Sequence, residues 1–324
     1  KGELDRAHAY VTEAVRIAAG IGDSRLQGAA LNNLGGIHFQ RGELERALAC
    51  HGEALAIRER ERDEVGLAQS HKNLGIAHYR HGEMDEAGRH LEEALSLYRK
   101  VVDRRGEAVT LRHLGNLHYE HGDHAGARRH WEASLSLCRE LGESAGLSSC
   151  LNNLGYLHFE QAHYASSERL FREALETTAA MGTKSQLLIL HMNLAELALS
   201  LDQLARTEAE LGQAESLARE IEATPMLAVA HSIRARIAAE RGDIATAREE
   251  ARAALELVEP TGHVENLVRG QMAAAEVELA AGAFPEARRL ARQASDTARW
   301  ARMSHFELSA ALLAALAAWR NGNG

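Results

Sequence analysis

Three kinds of residue in this chain have chemistry to offer, and each must first be weighed against a plainer role. Histidine is the most abundant, with eighteen in 324 residues. His78/His81 and His118/His121 share an i,i+3 spacing, and His124 and His130 lie close by. A zinc site needs three or four ligands converging at about 2 Å. His38, His78, His118 and His158, however, recur forty residues apart, and residues one repeat apart are too distant to converge on one ion unless side chains reach across a turn, so no metal is expected. Amides form a second set: Asn33, Asn73, Asn153 and Asn193, with His113 in the vacant place. Asparagine is a poor helix-interior residue. Its recurrence fits either pairing with the backbone of a bound peptide, since an amide both donates and accepts, or bridging of adjacent helices. The third set is aromatic: Phe39, Tyr79, Tyr119 and Phe159. It suits either the side chains of an extended ligand or the sealing of one repeat against the next. There is no Gly-rich phosphate loop, no Gly-x-Ser-x-Gly and no His-Glu-x-x-His. Carboxylates stand mostly at i,i+4 from arginines, ordinary helix-surface chemistry. Neither catalysis nor a cofactor is expected.

What must position these residues is a repeat. Asn32-Asn33-Leu34-Gly35 returns as Lys72-Asn73-Leu74-Gly75, Arg112-His113-Leu114-Gly115 and Asn152-Asn153-Leu154-Gly155. A fixed period of this kind marks a stack of like units and overrides the two-domain prior from length. Within one period, Asp23 can cap a helix, as can Asp63 and Asp103. Leu31, Leu34, Ile37 and His38 then follow at three- and four-residue steps, and Gly42 stops the helix. A second helix is expected from about Leu44 to Arg60, with Ala47, Leu48, His51, Ala54, Leu55 and Ile57 on one face. The turn position is held by Gly42, Gly82, Gly122, Gly242 and Gly282, with Ala162 and Asp202 as exceptions. Small residues keep two further registers, Ala47 to Ala287 and Ala54 to Ala294, which let helices approach to about 8–10 Å. Between them a knob varies: His51, Leu91, Trp131, Phe171, Leu211.

Composition agrees. Hydrophobic residues make up 45% but aromatics only 4%, and there are three prolines, a mix for Ala- and Leu-rich helices rather than sheet. The net charge of −9, with both signs interspersed, argues against nucleic acid, which needs clustered Lys and Arg. No apolar run reaches membrane-spanning length. Three cysteines, Cys50, Cys138 and Cys150, have no metal spacing and point to a reduced, cytoplasmic setting. Only four of the 37 basic residues are lysines, read as the coding bias of a GC-rich bacterial genome.

Leu34-Gly35, His38, Ala47, His51 and Ala54 together resemble the tetratricopeptide repeat, in a long forty-residue variant similar to Pins-type adaptors and to the sensor arms of bacterial multidomain regulators. The likeness is strong from 24 to 181 and weaker beyond, where the Gly becomes Ala195, Ala235 and Ala275. It implies an all-α, right-handed α-solenoid of about sixteen helices, with first helices lining the concave face. His38, His78, His118 and His158 then stand where the family carries Tyr. The groove-facing positions it implies are Asn32, Asn33 and Phe39 in the first full repeat, and Lys72, Asn73, Tyr79 and Arg80 in the second. The third gives Arg112, Asn116 and Tyr119, the fourth Asn152, Asn153, Tyr156 and Phe159, and the fifth Asn193. The family's clamp for a chaperone C-terminal carboxylate is matched only by Arg112, Asn116 and Asn153; the next first helix offers Ile189 and Asn193, so that guest is not expected. Lys72, Arg80 and Arg112 still make the groove locally basic, interrupted by Glu120 and Glu160.

The expected domain is a single solenoid over 1–324. It has a half-repeat at 1–22 and well-matched repeats at 23–62, 63–102, 103–142 and 143–182. Divergent repeats follow at 183–222, 223–262 and 263–302, with a half-repeat at 303–324. Lys1-Gly2 sits in the register of Arg41-Gly42, and the last helix, with Leu308, Leu312 and Leu316, has no polar cap, so a segment of a longer protein is expected. The expected role is a scaffold that binds a peptide, another protein or another domain of the same protein, as the sensing module of a bacterial regulator. The alternatives are the regulatory arm of an enzyme encoded outside this segment, or a self-association surface. Oligomeric state is left open.

Overall fold

The computed structural model describes residues 2–301 and 303–322; Lys1 and residues 323–324, at the tips of the two expected half-repeats, lie outside them. Among the described residues there are sixteen α-helices, one turn of 3-10 helix and no strand. The chain forms two compact units, Lys1–His163 and Tyr164–Gly324. The first holds α1 (Gly2–Ile21), α2 (Ser24–Gln40), α3 (Leu44–Glu61), α4 (Glu64–His81), α5 (Met84–Lys100), α6 (Arg104–Glu120), α7 (His124–Leu141) and α8 (Ser144–Glu160). The second holds α9 (Tyr164–Met181), α10 (Lys184–Ser200), α11 (Leu204–Glu220), α12 (Thr224–Glu240), α13 (Ile244–Val258), α14 (Val264–Ala280), α15 (Phe284–Trp300) and α16 (Ser304–Gly322). Each unit is a stack of helix-turn-helix repeats. Even-numbered helices pack on the flanking odd ones and also touch the next even one, which puts them on the inner side of each stack.

Local chemistry sets the helix ends. Asp23, Asp63 and Asp103 accept from the N–H of Leu26, Gly66 and Gly106 at 2.9, 3.0 and 2.9 Å, as their spacing predicts. Asp123 and Asp243 do the same for second helices. The turn register is left-handed throughout: Gly42 and Gly82 have φ of 76° and 87°, and Ala162 and Asp202 both 56°. A second left-handed register, halfway between, was not expected. It includes Arg62, Val102 and Glu222, at φ 55–58°.

Both small-residue registers are buried from end to end, Ala47 to Ala287 and Ala54 to Ala294. The Leu-Gly glycine has a specific partner, the knob of the following helix. A Cβ on Gly35 would stand 2.6 Å from His51 Cε1, and one on Gly75 2.7 Å from Leu91 Cγ. On Gly115 it would meet the indole of Trp131, 2.5 Å from Nε1. At two of the three corresponding positions of the second unit the bargain is reversed; at the third, Ala195, the knob remains Leu211. Ala235 packs with Ala251, and Ala275 with Ala291, so a methyl on the first helix is matched by a knob cut back to a methyl. Ion pairs join the start of a first helix to the end of the second: Glu64 with Lys100, Arg104 with Glu140 and Lys184 with Glu220.

Candidate functional site

On the inner side of the first unit, α4, α6 and α8 bring residues of their C-terminal halves toward one another. Tyr79, Asn116, Tyr119, Trp131 and Tyr156, with the Asn152–Asn153 pair and Glu120, line a cavity of about 210 Å³. Six of the fifteen residues expected from sequence thus meet in one place: Tyr79, Asn116, Tyr119, Asn152, Asn153 and Tyr156. Tyr119 stands at its centre, with ring centroids 5.7 Å from Trp131 and 6.3 Å from Tyr156. Tyr156 lies in turn 6.1 Å from Phe159. These are distances at which aromatic faces and edges attract.

The aromatic rungs are fastened by one rule. Phe39, Tyr79 and Tyr119 each meet the residue forty-one places later, on the next inner helix. The Arg80 guanidinium lies 5.7 Å over the Phe39 ring. The Tyr79 hydroxyl donates to Glu120 at 3.3 Å, and the Tyr119 hydroxyl to Glu160 at 2.6 Å. Burial first, then the neighbouring carboxylates, push both phenols well above the usual tyrosine range, so both stay protonated donors. Glu120 and Glu160 therefore do more than interrupt a basic groove; they tie down its rings.

The amides span repeats as well. Asn73 donates to Asn32 Oδ1 at 2.9 Å, and Asn32 lies 3.1 Å from His51 Nδ1. Asn116 and Asn153 meet at 2.9 Å. The Trp131 indole donates to Asn116 Oδ1 at 3.0 Å and to the Arg112 carbonyl at 3.2 Å. The geometry thus realises the helix-bridging role of these asparagines. Trp131 is the residue the sequence did not offer. It is 3% exposed and belongs to the outer helix α7, yet it reaches the inner floor through the gap left by Gly115.

The two cations Lys72 and Arg112 stand close to His113. Lys72, Arg112 and His113 are half-buried. Burial, aided by Arg112 and Lys72, holds His113 down to about 3, and the imidazole is neutral at ordinary pH. Burial lowers Lys72 too, against the pull of Asp103. Of the remaining expected residues, Asn33 is exposed and Asn193 lies on α10 in the second unit. Among the described residues, no helix is long and apolar enough to cross a membrane.

The family profile described as tetratricopeptide repeat matches residues 26–100 and 106–180, the stretch that builds this wall. These are tetratricopeptide repeats. No curated protein matches the chain. Solved structures do. Aspartyl phosphate phosphatase F from Bacillus subtilis superposes with a TM-score of 0.71 at 11% identity, covering 87% of this chain and 73% of its own. The apo quorum sensor NprR from B. thuringiensis gives 0.71 at 14%, covering 90% and 83%. The Rap conjugation gene regulator of plasmid pLS20, in complex with the Phr* peptide, gives 0.66 at 15%, covering 89% and 78%. At such identities these likenesses establish a shared helical-repeat fold, with the tetratricopeptide stretch of this chain as part of it.

Proposed function

We propose that the inner wall of the first unit binds an extended segment of another protein, or of another domain of the same protein, with one large side chain lodged between Tyr79, Tyr119 and Tyr156. The observation that carries this reading is the cavity itself. It is smaller than the ~300 Å³ at which small-molecule pockets begin, walled by aromatic rings and floored by the indole edge and by amides, each of which has more donor and acceptor capacity than its bridging bonds use, the remainder being suited to a peptide backbone. A rigid, pre-organised wall loses little entropy on association. The pLS20 regulator, solved with a peptide, makes a peptide guest a natural choice for the same fold. The chain is then a binding and sensing scaffold rather than a catalyst, working in the cytoplasm as the regulatory part of a bacterial signalling protein.

Selection of a random displayed-peptide library on the immobilised full chain tests this. Enriched peptides should carry a recurrent aromatic or large aliphatic residue. Binding of the selected peptides should fall at least thirtyfold in Tyr156→Ala, the loss of a central anchor worth ~2 kcal/mol. Peptides that bind the variant as well as the parent would defeat the proposal.

A further inference from the structure

The hairpin of α4 and α5 carries a cluster that peptide binding does not use. His78 on α4, and Glu86 and His90 on α5, each bring one potential ligand atom within 4.8 Å of the other two. All three are half-buried. Glu86 and His90 stand one turn apart and so share a face of α5, while His78 meets them from the facing helix. The two imidazoles stack at 5.3 Å with 4° between their planes. Each histidine also has a second partner for its Nδ1: Glu83 Oε2 lies 2.5 Å from that of His78, and His71 Nδ1 lies 2.9 Å from that of His90. In the tautomer in which Nδ1 donates, to Glu83 from His78 and to His71 from His90, the Nε2 lone pair is left to ligate. Metal-binding histidines are oriented in this way, by an outer carboxylate or other acceptor on the far ring nitrogen. Two imidazoles and a carboxylate are a recurrent donor set for zinc and its neighbours in the first transition row.

We propose that His78, Glu86 and His90 bind a divalent first-row transition ion, Zn2+ or a close relative, which clips α4 to α5. The neighbouring repeats supply an internal comparison. One period on, His118 and His130 stack again, at 4.7 Å and 16°, and Asp123 partners His118 Nδ1 at 2.9 Å. The place of Glu86 is taken by Gly126, whose carbonyl lies 2.9 Å from His130 Nδ1. A side chain there would collide with Asp123 and stand 2.7 Å from His118 Nδ1. One period earlier the three places hold His38, Arg46 and Cys50, a cation where the carboxylate should be. Packing accounts for a histidine pair in two repeats; it does not account for the carboxylate that completes the set in one. Arg89 donates to Glu86, an exposed pair of the kind that contributes little and yields readily to a cation.

The test uses the full chain stripped of metal with a chelator, titrated calorimetrically with Zn2+ and, separately, with Co2+ followed by its visible d–d absorption. One equivalent should bind, and the d–d bands should report low-symmetry coordination by nitrogen and oxygen. Glu86→Gln and His90→Gln should each weaken binding at least tenfold. His130→Gln, which alters the incomplete set, should leave affinity within twofold. Circular dichroism without metal establishes that each variant is folded. Absence of a stoichiometric site in the parent, or equal loss in His130→Gln and His90→Gln, would overturn the proposal.

Discussion

The glycine–knob bargain predicts a change of sign. In the parent chain, Gly115→Ala places a methyl against the Trp131 indole, 2.5 Å from Nε1. The ring cannot simply retreat, because its N–H is held by Asn116 and the Arg112 carbonyl. Overpacking of this kind costs about 1–3 kcal/mol. Trp131→Ala alone empties the floor and should cost about 3–5 kcal/mol. If the two effects were independent, the double variant would lose about 4–8 kcal/mol. The structure says otherwise. With the indole gone, the new methyl has space, and alanine is a better helix former than glycine by roughly 1 kcal/mol. The double variant should therefore match or exceed Trp131→Ala in stability, reproducing the arrangement already present at Ala235 with Ala251. Urea unfolding followed by circular dichroism, with midpoints compared at constant m, measures all four corners of the cycle. If Gly115→Ala lowers stability equally in both backgrounds, within about 0.5 kcal/mol, the steric account of the Leu-Gly motif is wrong.

Other outcomes follow from single features. Val102 is a β-branched residue at φ 58° and 74% exposed, so Val102→Gly relieves left-handed strain without losing packing and should raise stability by about 0.5–1 kcal/mol in the same assay. Asp103→Ala removes the hydrogen bond to Gly106 N and should cost about 1 kcal/mol, which Asp103→Asn or Asp103→Ser should largely restore. His51 is 2% exposed, and burial, with Arg58 and Lys72 adding to it, holds it down to about 4. The unfolded chain therefore takes up its proton first as pH falls below about 6.5. Stability should be full above that value and decline between pH 6.5 and about 4, by up to about 1.4 kcal/mol per unit from this group. His51→Gln should flatten that part of the urea-midpoint profile; a slope unchanged by the substitution would show that His51 does not titrate as described.

Much of this architecture could be read from residue types alone, because the repeat multiplies every weak signal. One buried alanine says little; Ala47, Ala87 and Ala127 at a fixed interval, all fully buried, say where helices touch. Turns at Gly42 or Gly82 announce themselves, since glycine alone takes positive φ without cost. The intervening turns at Arg62, Val102 and Glu222 were illegible, because their side chains disfavour the conformation and the flanking helices impose it. At the candidate site, the period exposed Tyr79, Tyr119 and the asparagines but could not say whom an amide pairs with. Donor and acceptor are the same in both roles, and only the 2.9 Å between Asn32 and Asn73 decides. Trp131 carried a knob's address, and nothing in its type or position revealed that an outer helix would furnish the floor of an inner cavity.

The forty-one-residue fastening of the rungs has a mechanical consequence. Each tyrosine latch joins only two successive hairpins, Tyr79 to Glu120 and Tyr119 to Glu160, and the two latches share no residue. A visitor that draws Glu120 away undoes a single tie and leaves the next intact, so its arrival is registered between two particular hairpins while the rest of the wall keeps its shape.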